Sequence, residues 1–200
     1  VVVAVDGEGP GLWVVDRDAP GIKTTPLKSY DMTRKVGIVE FTDTPAVAIP
    51  NRAVVQRVLD AGSVLIAADS YGGCKRCMEM TASYCLERKQ YGQLIGAFQA
   101  VKHQLADMVS NIEPSMSLYW YAAHAFDHIP NEASSTASMA KSHLCDLYDY
   151  IVRAATELHG GIGFTWEFDL HLWFRRSMFN RGVFGDSTFH RARAADQMGW

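Results

Sequence analysis

Three clusters of residues in this 200-residue chain have types and spacings that could do chemistry. The first is Glu87-Arg88-Lys89-Gln90-Tyr91-Gly92-Gln93-Leu94-Ile95, followed by Phe98-Gln99 and His103. An arginine beside a glycine and an aromatic can grip a phosphate through two parallel N–H bonds while backbone comes close. Gln99 falls near the start of the next helix, where unpaired N–H groups favour an anion. A basic loop with Tyr91 packed beneath it is the plainer reading of the same residues. The second cluster runs from Glu157 through His159-Gly160-Gly161-Ile162-Gly163-Phe164-Thr165 to Glu167. Its glycines permit close approach of backbone to a ligand, or simply end a helix. His159 and His171 are acid/base candidates, or ordinary core and surface histidines.

The third cluster is Trp173-Phe174-Arg175-Arg176 through Phe184-Gly185-Asp186-Ser187 to His190-Arg191. Asp186 or Ser187 can cap the last helix, and Asp186 and His190 are spaced to pair across one turn. Proton transfer by Asp186 is the alternative to capping. No nucleophile-elbow motif surrounds Ser187. Cys74 and Cys77 form a C-x-x-C that could be a redox pair or half a metal site. No second ligand pair completes a zinc site, so all four cysteines are expected to be buried, reduced thiols.

These clusters need elements to hold them. Hydrophobic residues make up 48% of the chain and charged ones 20%, a composition that builds a core and is unlike a disordered chain. The balance of 19 basic to 22 acidic residues, without a basic stripe, argues against nucleic-acid binding. No stretch is long and apolar enough to span a bilayer, and the Val1-Val2-Val3 opening has no charged leader, so a cytoplasmic protein is expected. That opening also reads as a cut through an element.

Residues 1–50 read as strand and loop: Val1–Val5, Gly11–Val15 and Lys35–Phe41, with a hairpin turn at Asp6-Gly7-Glu8-Gly9-Pro10 and breaks at Ala19-Pro20-Gly21 and Thr24-Thr25-Pro26. Three strands without a covering layer suggest the end of a larger β-domain. Residues 51–200 read as a helical bundle. Apolar stripes run Val64–Cys85, Phe98–Phe126 and Ala137–Leu158, with shorter helices at Asp169–Arg175 and Ser187–Met198. Pro130-Asn131 separates the second helix from the third, with Asn131 as a cap, and Gly160-Gly161 ends the third. Exposed Trp120, Trp166, Trp173 and Phe174 predict a large apolar assembly surface.

Together the clusters resemble the C-terminal half of acyl-CoA dehydrogenases. Arg88 to Gln99 is similar to the family's Arg-x-x-Phe-Gly-x-x-x-x-x-x-Gln signature, with Tyr91 in place of the Phe. His159-Gly160-Gly161-Ile162-Gly163 resembles its Gly-Gly-x-Gly segment. Residues 1–50, including Asp31-Met32-Thr33-Arg34 and Val39-Glu40-Phe41, resemble the end of its middle β-domain. The resemblance implies a mainly α fold, an antiparallel bundle preceded by the last strands of that β-domain. It implies an oxidoreductase that takes two hydrogens from an acyl-CoA thioester. A carboxylate removes the α-proton while the β-hydrogen passes as hydride to FAD. It further implies that Arg88, Tyr91, Ile95 and Gln99, with backbone at Gly160 and Gly161, touch the FAD of a neighbouring subunit. Glu157 stands where members often have Gln facing the adenine end.

The departures matter as much. One family position for the catalytic Glu falls on Gly185, and a second, on the first long helix, falls on Gly62. Asp60 matches a family acid that faces the coenzyme A part, but the basic residue that usually follows is Ser63. Losing both base positions while keeping Arg88 resembles the bacterial heterotetrameric dehydrogenases of steroid side-chain CoA thioesters, in which one chain lacks the Glu. The expectation is therefore a subunit of that kind, part of a homo- or hetero-tetramer and inactive as this piece alone. Two rivals stand beside it: an active homotetramer using Asp186 as base, and a scaffold that binds no flavin.

Overall fold

The computed structural model describes residues 1–200. The chain begins with five strands: β1 (Val2–Asp6), β2 (Gly9–Val14), β3 (Ile22–Leu27), β4 (Val36–Phe41) and β5 (Val47–Ile49). Then come α1 (Ala53–Glu87), the short strands β6 (Lys89–Gln90) and β7 (Gln93–Leu94), α2 (Gln99–His128), α3 (Pro130–His159), α4 (Leu170–Gly182) and α5 (Ser187–Met198). A 3₁₀ turn precedes α2 at Ile95–Ala97, and another follows α3 at Gly160–Phe164. No helix is long and apolar enough to cross a membrane.

The strands form antiparallel sheets in the order β1-β2-β5 and β3-β4. Asp6 pairs with Gly9 across the two-residue Gly7-Glu8 turn, the hairpin the sequence predicts. β3 and β5 escape the sequence reading. The supposed break at Thr24-Thr25-Pro26 lies inside β3, with Pro26 opposite Gly37. Proline is tolerated there because β3 has one neighbour only, and the side without an N–H faces outward. Most strand residues are exposed, including Val3, Val5, Ile38 and Phe41, whereas Gly11 and Leu12 of β2 are buried.

The bundle is built around α3. Its inner face carries Ala137, Ala140, Leu144, Ile151 and Ala155, all fully buried, and its small residues let neighbouring helices come close. α1 contributes Val64, Ala67, Cys74 and Cys77, and α2 contributes Met108, Ile112 and Ala122. α1 and α3 run parallel in a constant register. Ser134 donates to Asp60, the Ser70 hydroxyl meets the Cys145 thiol, and the Tyr84 hydroxyl donates to the His159 carbonyl, pairs 74, 75 and 75 residues apart. In the same register Gly73 lies under Tyr148, where a Cβ would stand 2.3 Å from the ring carbon Cζ.

Several local expectations are corrected. Asn131 does not cap α3: Pro130 takes the first helical turn and Ile129 precedes it, because proline's fixed φ suits that position. α4 extends to Gly182, past the predicted Arg175, because the residues from Arg176 onward lock onto α1. Trp173 and Phe174 pack against the core, whereas Trp120 and Trp166 are exposed. All four cysteines are buried and free. Burial pushes the Cys77 thiol up to about 12 and Cys74 higher still, so neither is a thiolate.

Strands and bundle are joined by Arg176. Its Nε and Nη2 donate to the two oxygens of Asp69 at 2.9 and 2.7 Å, its Nη1 donates to Thr33, and Asp31 lies 3.7 Å from Nη1. Asn180 adds a 2.7 Å bond to Asp69. Burial raises the Asp69 carboxyl, but the Arg176 and Asn180 hydrogen bonds outweigh it and hold the group below its ordinary value. A depressed carboxyl stabilises the fold above the unfolded pKa of about 3.9 and loses that contribution as pH falls through the folded value. Urea melts against pH should therefore show an acid limb below about pH 4 that Asp69→Asn flattens, and Arg176→Ala should cost about 2 kcal/mol at pH 7. The Tyr148 hydroxyl is buried with no partner. Tyr148→Phe should therefore leave stability unchanged or raised, while Gly73→Ala should lose about 2 kcal/mol or more from the forced clash.

Candidate functional site

The first site forms where α1 and α3 end side by side. The chain leaves α1 at Arg88, whose N–H still donates to the Tyr84 carbonyl and whose own carbonyl accepts from Ile95 N–H at 2.9 Å. Between them β6 and β7 make a tight hairpin, with Tyr91 at φ 50° and Gly92 at φ 78°. A two-residue hairpin turn of this type needs positive φ at both positions, which glycine adopts freely and tyrosine only under strain. Tyr91 is 94% exposed, so it is not packed beneath the loop as the plainer reading had it.

The facing wall is the end of α3. Gly160 has φ 64°, a conformation that only glycine takes easily, and a Cβ on Gly160 or Gly161 would meet nothing within 4 Å. Their backbone is open to whatever enters. The two walls are tied by Tyr84, whose ring stacks on His159 at 4.4 Å between centroids. His159 also packs on Phe168, and its Nδ1 lies 2.7 Å from the Ala155 carbonyl. Burial pushes the imidazole pKa down despite that bond, so His159 is a neutral wall piece rather than an acid/base group.

The cleft between these walls, about 240 Å³, brings together Arg88, Ile95, Glu157, Gly160 and Gly161. It also includes Tyr84 and Gln90, which the sequence reading left unassigned. Tyr84 could have been found from its position one turn before Arg88 on the same helix. Tyr91, at the hairpin tip, and Gln99, the first residue of α2, stand outside the cleft lining. The guanidinium of Arg88 and the carboxylate of Glu157 are both exposed, and neither forms an ion pair. The cleft thus offers an unpaired cation, bare backbone and one unpaired carboxylate, a combination suited to a ligand with both phosphate and hydrogen-bond-donor groups.

The second site is the α4–α5 turn. Gly62 on α1 and the turn at Phe184-Gly185 meet: a Cβ on Gly62 would lie 2.7 Å from the Phe184 ring. Phe184 has φ 61° and Gly185 φ 105°, and a Cβ on Gly185 would lie 2.5 Å from the Phe189 ring. Asp186 accepts the Phe189 N–H at 2.8 Å as the cap of α5. His190 does not pair with Asp186 as its spacing allowed. Its Nε2 lies 3.0 Å from the Phe184 carbonyl instead. Asp60 is held by Arg193, Gln56 and Ser134.

A family model described as acyl-CoA dehydrogenase, C-terminal domain, matches residues 52–199. Among similar proteins, acyl-CoA dehydrogenase IpdE2 of Mycolicibacterium smegmatis is 29% identical over 181 residues, covering 88% of this chain and 51% of the relative. IpdE2 of Mycobacterium tuberculosis is 33% identical over 152 residues, covering 76% of this chain and 44% of the relative. The chain spans about half the length of these curated relatives. Among solved structures, the Tcur3481-Tcur3483 steroid ACAD G363A variant superposes with a TM-score of 0.90 at 31% identity, over 98% of this chain and 54% of that one. The ChsE4-ChsE5 complex from Mycobacterium tuberculosis shares the fold, with a TM-score of 0.88 at 23% identity over 99% of this chain and 54% of that one. With the C-terminal-domain model covering almost all of the helical region, this chain belongs to the acyl-CoA dehydrogenase family.

Proposed function

We propose that this chain is part of an FAD-dependent acyl-CoA dehydrogenase, and that it is the subunit without a catalytic base. The observation that carries this reading is the closed corner between Gly62 and the α4–α5 turn. Each of the two places where the family's catalytic Glu would stand is a glycine whose Cβ direction points into a phenylalanine ring. Neither place can take a longer side chain without moving Phe184 or Phe189. The carboxylate beside them, Asp186, is engaged as a helix cap. A partner chain would then bring the carboxylate to the α-carbon, in a heterotetramer of related chains. The 31% identity to a steroid ACAD supports a steroid side-chain CoA thioester as the substrate class.

The first cleft fits FAD on its own chemistry. A diphosphate seeks an unpaired guanidinium and unobstructed backbone, and Arg88, Gly160 and Gly161 provide both. Ile95 would pack against the nucleotide, with Tyr91 and Gln99 contributing from the rim. Glu157 is the discordant group, because an ionised carboxylate repels phosphate. It can serve only at the adenine end, where an exocyclic amine donates to it. Bound FAD would supply the acceptor for the β-hydride, and its ring would lie mostly in a neighbouring subunit. The uncovered strand faces support residues 1–50 as part of a middle β-domain that the rest of such a protein completes, with residues 51–200 as the bundle domain. Buried reduced thiols accord with a cytoplasmic setting.

Co-expressing the complete chain with a candidate neighbour tests the reading. The pair should purify yellow and oxidise acyl-CoA, whereas strong turnover by the complete chain alone would end the proposal of a subunit without a base. In the active pair, Arg88→Ala should weaken FAD retention about tenfold or more, read by flavin fluorescence on dilution, with Arg88→Lys recovering only part. Asp186→Asn keeps a capping oxygen, so turnover and stability should stay at the unmodified level. Abolished proton abstraction in that variant would make Asp186 the base.

A further inference from the structure

Lys141 lies in the middle of α3, entirely out of contact with solvent. Its ammonium donates to the Asn180 carbonyl at 2.7 Å and to the Gly185 carbonyl at 3.1 Å. It has no carboxylate partner: Asp146, further along α3, pairs with Arg181 and Arg191 instead. An unpaired ammonium is costly to bury unless strong acceptors surround it. Here those acceptors are carbonyls. Asn180 O belongs to the last turn of α4, whose carbonyls have no partner within the helix and carry the negative end of the helix dipole. One buried cation therefore ties the end of α4 to the turn that follows it.

That turn needs holding. Phe184 and Gly185 are consecutive residues at positive φ, and the first is a bulky residue that strains there. From inside, Lys141 grips the Gly185 carbonyl, and buried His190 lies within hydrogen-bond distance of the Phe184 carbonyl. The consequence is the placement of the Phe184 ring over Gly62.

We propose that Lys141 is a positioning residue: acting through the Gly185 carbonyl, it holds Phe184 over Gly62 and so sets the shape of the corner that acyl-CoA meets. That this corner meets the substrate rests on the function proposed above. The placement of the turn by Lys141 does not.

The test uses the complete chain in its assembled flavoprotein. Lys141→Met should speed backbone hydrogen exchange about tenfold in the segment 183–187 and leave α1 unchanged, because one anchor of the turn is lost and the core is not. A merely structural role would speed exchange throughout the bundle. The same variant should raise KM for an acyl-CoA about tenfold while kcat stays within about threefold, the pattern of altered substrate fit rather than altered chemistry. Lys141→Gln, which keeps a donor, is measured in parallel and takes over if the Met variant does not assemble. Unchanged exchange in 183–187, or locally faster exchange with an unchanged KM, overturns the proposal. A wild-type assembly without dehydrogenase activity would instead sink the assigned function, and the exchange comparison would still decide whether Lys141 holds the turn.

Discussion

The parallel register of α1 and α3 is the constraint on which both sites depend. Each site is assembled from one wall on each helix or on the turns that follow them. The Arg88 wall continues α1 and the Gly160 wall continues α3, while Gly62 on α1 meets a turn anchored by Lys141 on α3. The contacts that fix the register are spread along both helices, from Asp60 with Ser134 to Tyr84 with His159. Close approach makes that register exact in space. Gly73 admits Tyr148, and the alanines of α3 leave little room for sliding.

Polar groups do unusual work inside this bundle. Arg176, Asp69 and Asn180 link the strand segment to α1 and α4, and the Asn180 side chain reaches on to Ser70, which meets Cys145. The Asn180 carbonyl then receives Lys141. A continuous path of hydrogen bonds thus runs from the loop at Thr33 to the turn at Gly185. Apolar residues would fill the same volume, but they would not dictate where a carbonyl sits. Such a network specifies one arrangement at the expense of burying charge.

Much of this was legible in the residues. The three long helices followed from apolar spacing, the end of α3 from paired glycines, and the role of Asp186 as a cap from its place before Ser187. The family resemblance points to Arg88, Ile95, Glu157, Gly160 and Gly161, and the fold brings these residues together. Other features were hidden because they depend on partners far along the chain. β3 contains a proline that reads as a break until its single-sided pairing is known. The space beside Gly62 and Gly73 is filled in each case by an aromatic ring more than seventy residues away. Lys141 sits in an apolar stripe with no local sign that two distant carbonyls await it. Tyr91 looked like a packing residue, because sequence carries no direct mark of a positive φ.

The shared register also constrains how such a chain can diverge. Losing or gaining one residue within α3 would turn everything beyond that point by about 100° and shift it by about 1.5 Å. A change between Lys141 and His159 would swing the Gly160 wall away from Arg88 and move Cys145 and Asp146 off their partners in α4 and α5. Point substitutions can accumulate along these two helices, but insertions and deletions should be confined to the connections, such as the segment 15–21 between strands. The length of each helix is thereby inherited more strictly than its composition.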